Sequence, residues 1–377
     1  MGLIEADIAV VHGRIVDNFR IPFGEDLHFK VVLIPGFSDG HAHPQVVDGG
    51  LRPGVLWRDS YDWIENRDLS VDEVMVRRDL GLASKLALLT FYRALLEGTT
   101  LISLTGRLAA NVKAWVSMTP RPKAVMLPTV MDREGWTVGE VKRDYERVSM
   151  MVSEGLTRLG VFVHSIRLAG RETIAEAVGL ASQRGGLLGL HMGEGRPETG
   201  DFKAVFGEPP YPSRIVPVHC IDDDVAAIGL QCVSCPLTNL LLYGRTRSSL
   251  AGVGSFGSDW PLLLGTVPRH LPIIAGHFKE PPDSILRIAT IGGYRVYNMP
   301  PDGDIVGYDD SLQKILEGRT KPKFVTVKWE TAVYEGTLTS NGLTLENIEK
   351  AIVEAVREAT EKYGKGGMPY IPKLPSM

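Results

Sequence analysis

Cysteine is scarce in this sequence, with only Cys220, Cys232 and Cys235 in 377 residues. An odd count, with no N-terminal apolar segment of the secretory type, argues against a disulfide framework and predicts a reducing, cytoplasmic location. Long apolar runs are lacking too. No uncharged stretch approaches the roughly 20 residues that span a bilayer, so no membrane partner is expected. The chain starts Met1-Gly2 but carries Ala6 where a myristoylation signal needs Ser or Thr. An excess of one charge is also absent. Lys and Arg number 41 against 45 Asp and Glu, a formal net charge of −4, which leaves no nucleic-acid or anionic-membrane footprint. Charge mixtures gather only around Glu346 to Lys365, as on the solvated face of a helix. Cys232 and Cys235 form a lone C-x-x-C. Without a second pair it predicts no structural zinc site, and both thiols are expected in or beside a strand.

Eight short apolar runs stand out instead: VVLIPGF ending at Phe37, then 99–105, 124–130, 159–165, 186–192, 215–221, 230–235 and 253–259. They carry Val, Ile and Leu on both alternating faces, as strands buried on both sides do. The spacers fit helices. Residues 77–98 have apolar positions at helical spacing and stop on Gly98, and residues 171–186 repeat the plan. Eight strand-then-helix units predict an α/β fold, a (β/α)8 TIM-type barrel, over residues 35–300. Residues 6–12 and 29–35 read as strands around a Gly13 turn and a polar connection. GDIVGY and FVTVKWETAVYEG (324–336) read as strands as well. Residues 1–34 and 301–377 are therefore expected to build a small β-rich satellite domain with a C-terminal helix. That helix covers 344–363, with Leu345, Ile348, Ile352 and Val356 on one face. The tail GGMPYIPKLPSM reads as a surface extension.

Barrel enzymes assemble their sites at the C-terminal ends of the strands. Five of the nine histidines fall there: His41, His43, His164, His191 and His219. His12, His28, His270 and His277 do not. One such histidine is most simply a structural hydrogen-bonding residue; five at one rim are not. His41 and His43 alternate by two, which puts both imidazoles on one side of an extended chain. Asp259 ends the eighth run, next to the first in a closed barrel, and can face that pair across the mouth. Imidazoles plus one carboxylate suit one divalent metal ion, Zn²⁺ first, with Fe²⁺ or Mn²⁺ of compatible ligand type. Glu194, three residues after His191, is placed as a general base or proton shuttle, or as a solvated loop acid. His219 is either a ligand of a second ion or a partner of the metal's water. Trp57, Trp63 and Trp260 offer an aromatic wall, Trp260 most directly because it adjoins Asp259.

These residues sit in recognisable motifs. PGFSDGHAH (35–43) looks like the PGFxDxHxH signature that opens amidohydrolase barrels. HMGE (191–194) resembles the HxxE motif of the deaminase branch. HCIDDDVAAIGLQCVSCPLTNLLLYG (219–244) is similar to its stretch from the sixth-strand histidine to CPxSN, with Thr238 in place of Ser. GSD (257–259) matches the eighth-strand aspartate motif, and VTVKWETAVYEG the C-terminal strand pair. The resemblance spans nearly the whole chain and is closest to cytosine deaminase, guanine deaminase and the chlorohydrolases. It implies that His41, His43, His191 and Asp259 bind one metal ion. It also implies that Glu194 shuttles a proton and that His219 polarises the attacking water, and Asp259 is expected to join the catalysis with Glu194, accepting a proton as the water attacks. Two-metal members bridge their ions with a fourth-strand lysine; here that place reads VFVHSIRL, so one ion is expected and His164 faces the substrate beside Trp260. The implied function is hydrolytic deamination of a nucleobase-like, amidine-type heterocycle. The alternatives are cyclic amide opening of the imidazolonepropionase kind and, in another class, a non-catalytic barrel. Relatives commonly form homodimers. The chain departs from the family in VGYDDSLQKIL, where an Ala-Asp pair usually begins the satellite strand. It also has a Gly- and Pro-rich stretch between Glu194 and His219, expected to shape the pocket.

Overall fold

The computed structural model of this protein describes residues 2–152 and 155–371. Three strands open the chain: β1 (Gly2–Val11), β2 (Arg14–Phe23) and β3 (Leu27–Ile34). Ten follow in the middle: β4 (Phe37–Ala42), β5 (Thr99–Leu104), β6 (Lys123–Met126), β7 (Thr129–Val130), β8 (Thr157–Leu159), β9 (Val161–Val163), β10 (Leu187–Met192), β11 (Arg214–His219), β12 (Cys232–Ser234) and β13 (Val253–Phe256). The last four are β14 (Ile305–Tyr308), β15 (Phe324–Val327), β16 (Glu330–Tyr334) and β17 (Thr337–Leu338).

One sheet, ordered β17-β16-β15-β14-β3-β1-β2, joins both ends of the chain. Residues 14–23 are not a polar connection but a full strand. β2 pairs antiparallel with β1 along its length, from Gly2 opposite Phe23 to Val11 opposite Arg14. Most of its side chains are exposed; only Phe19, Ile21 and Phe23 alternate, and they pack on the core while the ladder with β1 holds the rest. VVLIPGF likewise divides. Its first four residues end β3, and β4 is made of the motif FSDGHA itself. In β4 the polar Ser38, Asp39 and His41 are as buried as Phe37, a composition that apolar periodicity does not flag.

The remaining strands form two sheets, β4-β5-β6-β8 and β13-β12-β11-β10-β9-β7, in which every pair is parallel. The third and fourth apolar runs each supply both sheets. Pro128, with no N–H for a ladder, separates β6 from β7. Gly160 separates β8 from β9, and a Cβ there would stand 2.3 Å from Leu187 O. Beyond β4 and β13 a parallel bridge pairs Ala42 with Asp259. Asp259 N donates to His41 O at 2.8 Å and His43 N to Asp259 O at 2.6 Å.

The helix expected over 77–98 is two, Glu73–Arg78 and Leu80–Leu96. Asp79 breaks it: its backbone is extended, and its carboxylate accepts from Leu82 N at 2.9 Å as the cap of the second helix. Gly98, at φ 86°, ends that helix in the left-handed region. The C-terminal helix Leu345–Tyr363 starts on a capping box at Thr344 and buries Leu345, Ile348, Ile352 and Val356. It packs on the helices just named, and Leu338 N of β17 donates to Leu343 O just before its start. Asp72 N donates to Tyr363 O, Tyr363 Oη to Asp79 Oδ2 and Lys85 Nζ to Glu358. The tail from Gly366 is largely exposed as far as Ile371, and residues 372–377 lie outside the described residues. Cys232 lies in β12 and Cys235 just after it, both buried and free. Among the described residues no helix is long and apolar enough to cross a membrane.

Candidate metal centre and its cleft

The C-terminal ends of the parallel strands turn abruptly inward. His219 (φ 71°), Cys220 (φ 46°) and Asp259 (φ 64°) adopt the left-handed conformation, which costs a non-glycine residue roughly 1–2 kcal/mol. Such strain persists where surroundings impose it, and it clusters at functional sites. Gly257, before Asp259, is needed for close approach: a Cβ would meet His41 Cβ and Cys235 Sγ at 2.9 Å. Asp39 ties the two strand ends together. Its Oδ1 accepts from Ser258 N at 2.9 Å and from His41 N at 3.3 Å. Burial pushes its carboxyl up to about 7, against the lowering effect of Ser258.

His41 stands at the centre. Its Nε2 is 3.0 Å from His43 Nε2, 3.2 Å from His191 Nε2 and 3.6 Å from Asp259 Oδ1, while His43 Nε2 is 3.4 Å from that oxygen. Two donor triads result, His41–His43–Asp259 and His41–His191–His219, each with its ligand atoms within 4.8 Å of one another. Phe162 packs beneath, its ring 5.1 Å from that of His41 and 4.7 Å from that of His191.

This arrangement fits a divalent cation. Burial drives the protons off His41, His43 and His191, holding all three below the ordinary value of 6.5. Burial would raise Asp259, but interaction with His41 and the neighbouring His219 and His43 prevails and holds it well below the carboxylate range. The cluster therefore presents lone pairs and a carboxylate at neutral pH, the form metals bind. One N–H on His41 Nε2 cannot satisfy two facing nitrogens. Ligand atoms around a tetrahedral zinc ion stand roughly 3.3–3.6 Å apart, close to the 3.0–3.6 Å found here.

The imidazoles are oriented from behind. His43 Nδ1 lies 3.0 Å from Thr105 Oγ1. Asn239 Nδ2 donates to Thr246 Oγ1 at 3.0 Å, which turns Asn239 Oδ1 toward His219 Nδ1 at 2.8 Å. His219 Nδ1 thus carries the proton, and its Nε2 lone pair faces inward. That Nε2 is 3.7 Å from Glu194 Oε1, which accepts from Tyr243 Oη at 2.6 Å. Burial, more than any other influence, raises the Glu194 carboxyl.

Above the cluster opens a cleft holding about 830 Å³ of empty space, open solvent included. His43, His164, His191, Glu194, His219, Asp259 and Trp260 all line it. His164 is half-buried, its ring 5.0 Å from that of His191, and burial pushes it down to about 3. Trp63 and Trp260 lie 5.9 Å apart at 31° and share the wall; Trp57 is not part of it. The Gly- and Pro-rich stretch after Glu194 contributes nothing to the lining. It forms the helix Thr199–Phe206, tied down where Glu198 N and Thr199 N donate to Asp223. Sequence reasoning missed Thr105, Asn239, Tyr243 and the wall residues Arg67, Glu73, Arg77 and Trp136. Asn239 could have been found from its place in CPLTN. Nothing in the periodicity marks the others.

No family model matches the sequence, and no curated protein does. Solved structures match the fold. An adenosine deaminase from Xanthomonas campestris with bound zinc matches with a TM-score of 0.73 at 15% identity, over 96% of this chain and 98% of that one. An atrazine chlorohydrolase from Arthrobacter aurescens TC1 complexed with zinc reaches 0.72 at 14%, over 94% and 100%. The guanine deaminase of E. coli reaches 0.66 at 15%, over 89% and 100%. At such identities the likeness is one of fold.

Proposed function

We propose that this chain belongs to the amidohydrolase superfamily, on its deaminase and chlorohydrolase branch. In this reading it hydrolyses an amidine-type C–N bond of a heterocycle and releases ammonia. The observation that carries this is the convergence of His41, His43, His191 and Asp259 beneath a tryptophan-walled cleft, with Glu194 and His219 beside them. The two parallel sheets are read as arcs of one (β/α)8 barrel over residues 35–300. Support comes from the two runs they share and from the Ala42–Asp259 bridge at the seam. The sheet from residues 1–34 and 301–377 is the satellite.

His41, His43, His191 and Asp259 would hold one divalent ion, zinc by ligand type. When bound, such an ion supplies the Lewis acidity that brings the pKa of a water to about 7. Glu194 takes a proton from the attacking water and passes it to the ring nitrogen or the leaving amine. Its raised proton affinity suits both directions of transfer near neutral pH. Tyr243 holds the carboxyl in place. His219, oriented by Asn239, accepts a hydrogen bond from the water through Nε2. His164 and Trp260 bound the space left for the ring. Phe162 beneath keeps the cluster dry, which strengthens each of these interactions.

Metal analysis with an ammonia screen over purines, pyrimidines and triazines tests this. One ion per chain and ammonia from at least one ring compound are expected. Two tightly bound ions would overturn the one-metal reading. Turnover without ammonia would point to cyclic amide opening, and absence of metal to a non-catalytic barrel.

A further inference from the structure

The cleft wall also carries cations. Arg67 and Arg77 line it. Arg67 is held by its Nη2, which donates to both oxygens of Glu73 at 2.8 Å, and its guanidinium lies 4.3 Å from the centroid of Trp63. Arg77 is only 8% exposed. Among the described residues it has no carboxylate within ion-pair distance. Its Nε donates to Gly135 O at 2.6 Å and its Nη2 to Thr129 O at 3.4 Å, over the ring of Trp136. Asp144, the acid that acts on it most, pairs with Arg107 at 3.6 Å. Among the described residues the remaining guanidinium donors of Arg77 have no hydrogen-bond partner. A buried guanidinium without a counter-charge is costly unless something supplies one.

Its position relates to the chemistry. Thr129, which accepts from Arg77, opens β7, and His164 N donates to Val130 O on the same strand. Glu73 is shared between Arg67 and Arg133, at 2.8 and 2.9 Å; Arg77, on the same cleft wall, has no carboxylate of its own among the described residues.

We propose that the substrate carries a single carboxylate on its ring, bound by Arg77 with Arg67 beside it. The planar guanidinium fork matches a carboxylate in shape and charge. The ring then lies between this pair and Glu194, against Trp63 and Trp260. This rests on the hydrolase reading and narrows its substrate class.

The test compares matched ligands on the metal-loaded full chain. Amino-pyrimidines and amino-triazines with a carboxymethyl group are each paired with the corresponding carboxamide, alike in size but uncharged. Calorimetry on Glu194→Gln measures binding without turnover, and ammonia release on the unmodified chain measures turnover. At least one acid should bind about tenfold or more tightly than its amide. In Arg77→Gln, combined with Glu194→Gln, that gap should fall below about threefold, and high salt should narrow it. Arg67→Gln, at a less buried site, serves if Arg77→Gln does not fold, and it should narrow the gap in the same direction. Equal binding of every acid and amide overturns the proposal. So does a loss in the Arg variants that is the same for acid and amide. An Arg77-dependent preference for acids with no ammonia from any of them supports the carboxylate site and counts against the deaminase reading instead.

Discussion

Two buried polar clusters sit at opposite ends of the parallel strands, and they are built on different rules. At the start of β6 the fully buried Lys123 Nζ lies 2.9 Å from Asp304 Oδ2 and donates to Pro300 O and Asp302 O. Tyr294 donates to Asp304 in turn and lies 2.9 Å from Thr100 Oγ1. Every donor there meets an acceptor and the charges are opposite. At the other end, where β4, β10, β11 and β13 finish, like faces like. Imidazole Nε2 atoms point at one another at 3.0 and 3.2 Å, with one carboxylate among them. Buried polar groups are normally paired, and an exception asks for a reason. The Lys123 cluster is complete within the chain. The histidine cluster is not, and in the reading proposed above a cation completes it.

The largest effect expected from this contrast is on the metal. His191→Ala or Asp259→Ala should empty the site and lower turnover by about 10³-fold or more, since metal-ion catalysis is worth several kcal/mol. Far-ultraviolet dichroism should stay that of the folded chain, because no opposite charge is orphaned by losing a neutral imidazole. Metal retained in His191→Ala would mean that His219 carries the third position instead. Glu194→Gln comes next. It should keep one ion per chain and lose about 10²–10⁴-fold in turnover. Turnover at the unmodified rate would remove Glu194 from the proton transfers.

The same contrast explains what was legible in the sequence. The histidine cluster was legible because its chemistry is local: H-x-H, H-x-x-E and G-S-D each put donors at one strand end. Seven of the eight apolar runs located parallel strands, because strands buried on both faces need such runs; the first run ends β3 and meets β4 only at Phe37. β2 was not legible, since most of its side chains are exposed and only Phe19, Ile21 and Phe23 alternate toward the core. Nor was the break at Asp79, where a single side-chain cap overrides an unbroken helical period. Lys123 reads as an ordinary surface residue beside its strand. Its partners lie 177 to 181 positions away, and no local pattern predicts a long-range ion pair. Arg77 is hidden for a similar reason: it falls inside a stretch that reads as plain helix.

Breaking the complete cluster should act on stability and not on metal. Lys123→Met leaves the buried Asp304 without its cation, a change that costs about 3–5 kcal/mol, visible as a large drop in the denaturant midpoint. The folded fraction should still bind one ion. Metal loss in Lys123→Met at denaturant-free conditions would show that the two ends are coupled.

Acid sharpens the comparison further once a second buried ion pair, Arg93–Glu97, is set beside the histidines. His41, His43 and His191 have folded values below the ordinary 6.5. Below about 6.5 the unfolded chain therefore binds more protons than the folded one, and the histidines' contribution to stability is lost as pH falls from there. The Arg93–Glu97 pair titrates in a more acid window, unlike Asp304 of the Lys123 cluster, which burial raises to about 6. Glu97 is fully buried, it receives Arg93 Nε at 2.9 Å, and it accepts from Thr266 N and Oγ1 at 2.7 Å. Burial opposes its ionisation, yet Arg93 and Thr266 prevail and hold it below its ordinary 4.5. Its contribution is complete above about 4.5 and is lost only as pH falls through its folded value. Melting of the metal-free chain should therefore weaken in two steps, one below pH 6.5 and one below 4.5. Glu97→Gln should cost roughly 1–3 kcal/mol at neutral pH and flatten only the lower step. Bound metal, which needs neutral imidazoles, should shift only the upper step to more acid pH. If metal moved both steps together, the histidine cluster and the buried ion pair would be one cooperative unit, and the division drawn between them would fail.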